Sequence, residues 1–186
     1  MVRFERTPTE LEGLVVVRRK PVGDNRGFFA RFFCADEFQS LGFKGPIAQI
    51  NHTRTERRGT VRGLHFQRAP HAEIKVVSCL RGEVFDVAVD LRAGSPTFLR
   101  WHGQILSADN QHSLYIPEGF AHGFQTLSDD CELVYLHSTA YSADAEGGLN
   151  PADPKLRIAW PLAIGALSER DRAHPMLTDA FAGLTT

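Results

Sequence analysis

The sequence has no excess charge of either sign, no long hydrophobic run and few cysteines. It carries 21 Lys and Arg against 22 Asp and Glu, a formal net charge of -1 over 186 residues. A nucleic-acid surface would show a basic excess, so no nucleic-acid partner is expected. No apolar run approaches the roughly 20 residues of a membrane helix. The opening Met1-Val2-Arg3-Phe4-Glu5-Arg6 has no apolar signal core, so a cytoplasmic location and no membrane partner are expected. Cys34, Cys79 and Cys131 are scattered and odd in number, which suits reduced thiols acting as small buried hydrophobes. Repeats, low-complexity tracts and linkers are absent as well.

What is there is an ordinary globular composition, 42% hydrophobic and 23% charged. The length fits one domain over 1–186, large enough to bury a core without staples. Short runs rich in β-branched and aromatic residues follow one another, split by Gly, Pro, Asp and Asn. They are Leu14–Lys20, Phe28–Cys34, Ile47–His52, Thr60–Gln67, Ile74–Leu80, Val84–Leu91, Phe98–Leu106, Ser113–Ile116, Gly123–Leu127 and Glu132–Thr139. Their near-regular spacing predicts a mainly β sandwich or barrel. Short helices are predicted at Ala35–Leu41 and near Ser168–Arg172, the latter in a Pro- and Asp-rich tail after about residue 145. In Val84–Leu91, Phe85, Val87, Val89 and Leu91 share one face while Asp86, Ala88 and Asp90 share the other. A jelly roll with a solvated interior produces this pattern, and so does a half-exposed edge strand.

The run Arg62-Gly63-Leu64-His65-Phe66-Gln67 holds a guanidinium and an imidazole inside an apolar strand. Alternation sends Arg62 and His65 to opposite faces, but Gly63 permits a bulge that re-aims one of them. A buried imidazole beside a fixed positive charge suits proton abstraction from an anionic substrate; a core histidine is the plainer reading. A second run, Pro117-Glu118-Gly119-Phe120-Ala121-His122, is a Pro-x-Gly turn that delivers His122 to the next strand. It resembles the turn of cupin-type double-stranded β-helices (jelly rolls). Many cupins ligate a metal with this histidine and an upstream His-x-His pair. Here the upstream element is Leu64-His65-Phe66-Gln67, so no metal is expected. His52, His71, His102, His112, His137 and His174 show no ligand spacing and read as surface or loop residues.

Taken in order, further runs complete a resemblance. They are Asp24-Asn25-Arg26-Gly27-Phe28-Phe29, Gln49-Ile50-Asn51, Arg62–Gln67, Lys75-Val76-Val77, Gly82–Val87, Gly94-Ser95-Pro96-Thr97-Phe98 and Ile116–Phe124. Tyr135 with Tyr141, Asp153-Pro154, Trp160-Pro161 and Ser168 with Asp171 follow. The chain resembles the dTDP-4-dehydrorhamnose 3,5-epimerase family along nearly its whole length.

The resemblance implies a cofactor-independent isomerase acting on a nucleotide-linked 4-keto-6-deoxyhexose in rhamnose-type deoxysugar assembly, and a homodimer. C3 and C5 of such a sugar are carbon acids beside the carbonyl, so epimerisation needs a base, an enolate stabiliser and an acid on the opposite face. By the resemblance His65 is the base, Asp171 its orienting carboxylate, Tyr135 the acid and Lys75 the enolate stabiliser. Asp86 is then a reasonable ion partner for Lys75. Arg62 and His122 map to the diphosphate grip, and Arg26, Phe29, Gln49, Asn51 and Tyr141 to the nucleotide and sugar pocket; in the implied homodimer, built by sheet extension through the strands before Arg26, Arg26 and Phe29 complete the pocket of the partner chain. From the residues alone, Lys75 reads equally as a solvated strand-end charge, and Phe29 and Tyr141 as core. Two departures stand out. Arg31 replaces the family's usual glutamate, which raises a cytidine-linked sugar as a second candidate substrate; Asn150-Pro151-Ala152-Asp153 replaces a commoner Trp-Asn-Asp-Pro. The same residues also admit a mono-epimerase, a metal-dependent cupin, or a sugar-nucleotide-binding barrel without turnover.

Overall fold

Strand alternation resolves into two antiparallel sheets laid face to face. The computed structural model describes residues 2–185. Its strands are β1 (Phe4–Pro8), β2 (Val15–Arg19), β3 (Val22–Asp24), β4 (Gly27–Phe29), β5 (Gln49–Thr55), β6 (Val61–Gln67) and β7 (Lys75–Arg81). They continue with β8 (Glu83–Asp90), β9 (Trp101–Ser107), β10 (His112–Ile116), β11 (Phe120–Thr126), β12 (Cys131–His137) and β13 (Glu146–Gly148). Two one-turn helices, α1 (Ala35–Gln39) and α2 (Glu169–Ala173), complete it. The sheets run β1-β2-β10-β7-β12-β5 and β13-β6-β11-β8-β9, and β3 pairs only with β4. From β5 to β13 the chain passes back and forth between the two sheets, the β8–β9 hairpin excepted, as in a jelly roll. Cys34, Cys79 and Cys131 are free, and among the described residues no helix is long and apolar enough to cross a membrane.

Three apolar layers hold the sheets. Val77, Leu114, Ile116 and Leu133 of the larger sheet meet Val84, Ala88, Leu106 and Phe124 of the smaller one between them. Outside the smaller sheet, Leu64, Val87, Val89 and Leu91 are covered by Leu149, Leu156, Leu177 and Leu184 of the tail. Outside the larger sheet, Phe4, Val17, Val76, Tyr115 and Leu136 pack with Phe38 and Phe43 around α1. The apolar face of Val84–Leu91 is therefore turned outward under the tail, and its aspartates are turned inward. β8 lies between β9 and β11, which removes the edge-strand reading.

The differences from expectation have local causes. Phe28–Cys34 is strand only to Phe29; beyond it Phe33 and Cys34 turn in against the α1 core. The run Phe98–Leu106 becomes strand at Trp101, because Leu99 takes φ +61° and Asp90 gathers Arg92, Ser95 and Thr97 into a turn. β1, Phe-Glu-Arg-Thr-Pro, is a strand that the sequence does not announce, since it has one buried residue and no alternation.

The Gly63 bulge is present. On β11 the step from His122 to Phe124 spans two residues, while their partners on β6, His65 and Arg62, are three apart. That extra residue brings Arg62 and His65 to one face. Gly63 has φ +114°, and a Cβ there would lie 2.6 Å from the His122 carbonyl oxygen and 2.7 Å from Gly123 Cα. Both obstacles are backbone. Gly63→Ala is therefore expected to destabilise the protein by about 3 kcal/mol, read as a lowered midpoint in denaturant; an unchanged midpoint would show that β6 tolerates a side chain there.

Candidate active site

Between the sheets lies a cavity of about 450 Å³, within the range of small-molecule sites. Register decides which side chains reach it. On the larger sheet β12 lies between β5 and β7, with His137 opposite Gln49 on one side and Lys75 on the other, and Tyr135 opposite Asn51. Alternation then aims Gln49, Asn51 and Thr53 of β5, Lys75 of β7, and Tyr135 and His137 of β12 into the same space. The smaller sheet answers with Arg62, His65 and Gln67 of β6 and His122 and Phe124 of β11. His65 and Tyr135 thus face one chamber from opposite sheets.

His65 Nε2 lies 2.7 Å from Asp171 Oδ1 and 3.0 Å from Arg170 Nη2. One nitrogen cannot donate to the carboxylate and accept from the guanidinium at once. The shorter contact and the opposite charge assign its proton to Asp171, leaving the lone pair on Nδ1. Asp171 is the third residue of α2, whose N-cap is Ser168; the serine Oγ accepts from the Asp171 N–H at 3.0 Å. The Gly63 N–H donates to Asp171 Oδ2 at 3.0 Å, so the bulge also anchors the carboxylate. Burial pushes the Asp171 carboxyl up, but the hydrogen bonds from His65 and Gly63 and the charges of His65 and Arg170 outweigh it and hold it well below the ordinary range.

Tyr135 is 9% exposed, and burial pushes its phenol above the ordinary value, offset in part by the Thr53 hydroxyl 3.3 Å away. The neutral, proton-carrying form is favoured. Its ring stands edge-on to His122, centroids 6.0 Å apart. Arg62 lines the cavity with Nε donating to Thr55 Oγ1 at 2.9 Å. Tyr141 lines the mouth, its hydroxyl donating to Glu146 Oε2 at 3.1 Å.

Several expectations need correction. Lys75 is not a solvated strand end and is not paired with Asp86. Its Nζ lies 3.1 Å from Glu73 Oε1, with both side chains about nine-tenths buried. Asp86 is fully buried and lines no part of the cavity; its Oδ1 is 2.9 Å from His122 Nε2. β8 turns Asp86 inward behind His122, so it supports that imidazole instead of meeting a ligand. Arg26 and Phe29 lie outside the cavity of their own chain, where β3 and β4 bond only to each other, Arg26 pairs with Asp24 and Phe29 is 72% exposed; this leaves their expected place in a partner chain's pocket untouched. Arg31 Nη1 donates to Glu37 Oε1 at 3.2 Å and does not line the cavity either. His137, expected at the surface or in a loop, is buried in the cavity wall.

Thr53, Glu73, Gln67 and His137 escape sequence reasoning although a signal exists for each. Every one of them lies two residues from a residue singled out by motif (Asn51, Lys75, His65 and Tyr135), the spacing that keeps side chains on one face of an extended chain. Arg170 and Glu146 have no such signal. Among the described residues His65, Asp171 and His174 form a group with metal-ligand spacing, their ligand atoms within 4.8 Å of one another. The Arg170 guanidinium lies 3.0 Å from His65 Nε2, so a positive charge already stands beside one of those ligand atoms.

A family model described as dTDP-4-dehydrorhamnose 3,5-epimerase matches residues 8–179. The dTDP-4-dehydrorhamnose 3,5-epimerase of Shigella flexneri is 44% identical over 173 residues, covering 92% of this chain and 95% of that protein. The dTDP-4-dehydrorhamnose 3-epimerase of Streptomyces niveus is 40% identical over 174 residues, covering 93% and 84%. Among solved structures, dTDP-6-deoxy-D-glucose-3,5-epimerase of Legionella pneumophila, in complex with dTDP-4-keto-L-rhamnose, superposes with TM-score 0.91 at 39% identity, covering 98% of each chain. With a cupin-like jelly roll, a His–Asp pair facing a buried tyrosine, and these likenesses over nearly its whole length, the chain belongs to the dTDP-4-dehydrorhamnose 3,5-epimerase family.

Proposed function

We infer that the protein is an isomerase that epimerises C3 and C5 of dTDP-4-dehydro-6-deoxyglucose without a cofactor, in rhamnose-type deoxysugar assembly. The observation that carries this reading is the confrontation of His65 and Tyr135 across one cavity. His65 Nδ1 takes the proton beside the 4-keto group, and the electron pair moves onto the carbonyl oxygen as an enolate. Asp171 stabilises the imidazolium that forms, and Lys75 the enolate oxygen. The carbon then takes the Tyr135 proton on its other face, which inverts it. Proton exchange with solvent restores both groups. Arg62, with Gln49, Asn51 and Tyr141 lining the same cavity, supports a reading as the holder of the nucleoside diphosphate, since a guanidinium matches phosphate oxygens.

The test is a product assay in deuterated water with dTDP- and CDP-linked 4-keto-6-deoxyglucose side by side, read by NMR. Deuterium at both C3 and C5 of the dTDP-sugar is expected. Deuterium at one carbon alone would make the protein a mono-epimerase, as the name of the Streptomyces niveus relative describes that enzyme. Preference for the CDP-sugar would overturn the thymidine reading.

A homodimer belongs to the same inference. Val22, Phe28 and Phe29 on the β3–β4 hairpin are 52%, 65% and 72% exposed, an apolar group that calls for a cover. Docking against a second copy would hide it and bring Arg26 and Phe29 to the neighbouring cavity. Light scattering is expected to give twice the chain mass; the mass of one chain would remove the dimer.

A further inference from the structure

The cavity wall on the larger sheet holds a directed chain of hydrogen bonds with two members, Glu73 and His137, that the reaction above does not use. The Tyr141 N–H donates to Gln49 Oε1 at 3.0 Å, and Gln49 Nε2 donates to Asn51 Oδ1 at 3.0 Å. Asn51 Nδ2 lies 3.3 Å from His137 Nε2, and His137 Nδ1 lies 2.6 Å from Glu73 Oε2. Glu73 Oε1 then accepts from Lys75 Nζ at 3.1 Å. With His137 carrying its proton on Nδ1, every donor meets an acceptor. The side chains of Glu73 and His137 are each 9% exposed.

We propose that Glu73 and His137 are positioning residues that seat Lys75 for enolate stabilisation and tie its position to Gln49 and Asn51; this rests on the reading of Lys75 given above. A lysine ammonium rides on a flexible four-carbon stem and does not hold one geometry unaided. Besides Glu73, the contact on Nζ is the His65 carbonyl at 3.5 Å, too long to hold it. Glu73 is itself fixed: burial pushes its carboxyl up, but the His137 hydrogen bond and the Lys75 charge outweigh that and keep it below the usual range, hence ionised. Its negative charge also dampens the field that Lys75 offers an enolate, so its removal has two opposed effects. Seating dominates, because an ammonium left unpaired in a buried wall is costly and turns out toward solvent.

The experiment combines Glu73→Gln with Lys75→Ala and measures kcat and KM for the dTDP-4-keto sugar, with dTDP binding by calorimetry as the check on folding. Glu73→Gln alone is expected to lower kcat about tenfold or more, the size of coupling found between contacting groups, with dTDP affinity within about twofold. In the Lys75→Ala background it is expected to cost nothing further, which a merely structural residue would not show. If Glu73→Gln fails to bind dTDP, His137→Gln replaces it. That variant should lower kcat and, by releasing Asn51, raise KM, with the kcat effect again absent once Lys75 is alanine. Full kcat in Glu73→Gln, an increase, or the same loss in both backgrounds overturns the proposal while Lys75→Ala remains impaired. A Lys75→Ala enzyme at full kcat instead overturns the role given to Lys75, and this proposal with it.

Discussion

Alanine at position 65 is expected to stop deuterium wash-in at C3 and C5 and to lower kcat by about 10³-fold or more, in line with what a positioned general base supplies. The geometry makes the outcome specific to chemistry. Without the imidazole, Asp171 still accepts from the Gly63 N–H and still donates its own N–H to the Ser168 cap, so α2 and the bulge stay in place. The Lys75 contact is to the His65 backbone carbonyl, which alanine retains. Binding of dTDP should therefore stay within about threefold, since removing a group that acts only on the reacting carbon spares uniform binding. Asp171→Asn should fall between the two enzymes, because asparagine accepts from Nε2 without the charge that stabilises the imidazolium. Substantial exchange at either carbon in the alanine variant would show that another base serves it.

Tyr135→Phe is expected to separate proton removal from inversion. The ring keeps its place beside His122 and His137, centroids 6.0 and 6.2 Å away, and the lost hydroxyl leaves only the Thr53 hydroxyl without its neighbour. His65 still opens the carbon acid, so deuterium continues to enter from its side with the original configuration. Inverted product should fall by about 10²-fold or more, the usual worth of a general acid. NMR of the sugar ring distinguishes retained from inverted carbons in one spectrum. Inversion at the original rate and stereochemistry would mean that the proton comes from elsewhere.

The legible parts of the site are those written along single strands. Gly63 between Arg62 and His65 announces the bulge because only glycine takes its φ at that approach, and the Pro-x-Gly turn announces His122. The same two-residue spacing that makes Val84–Leu91 recognisable also covers His137 two residues beyond Tyr135 on β12 and Glu73 two residues before Lys75, in the segment leading into β7. Asp86 misleads for a related reason. Alternation shows that it shares a face with Asp90, but not which layer that face meets, and His122 stands between it and the cavity.

The sequence by itself determined a mainly β sandwich or barrel, a glycine that permits a bulge between Arg62 and His65, and the residue types needed to move a proton beside a carbonyl. These follow from short-range rules: the period of the strand, the freedom of glycine, the rigidity of proline. The pairing of His65 with Asp171, 106 positions away, came from the family resemblance and no local pattern; only the tertiary structure decided that Lys75 answers to Glu73 and not Asp86, and that Arg26 and Phe29 lie apart from the cavity of their own chain. Strand order and register set those meetings, and they depend on which sheets bury which faces, a property of the whole chain that no local pattern encodes.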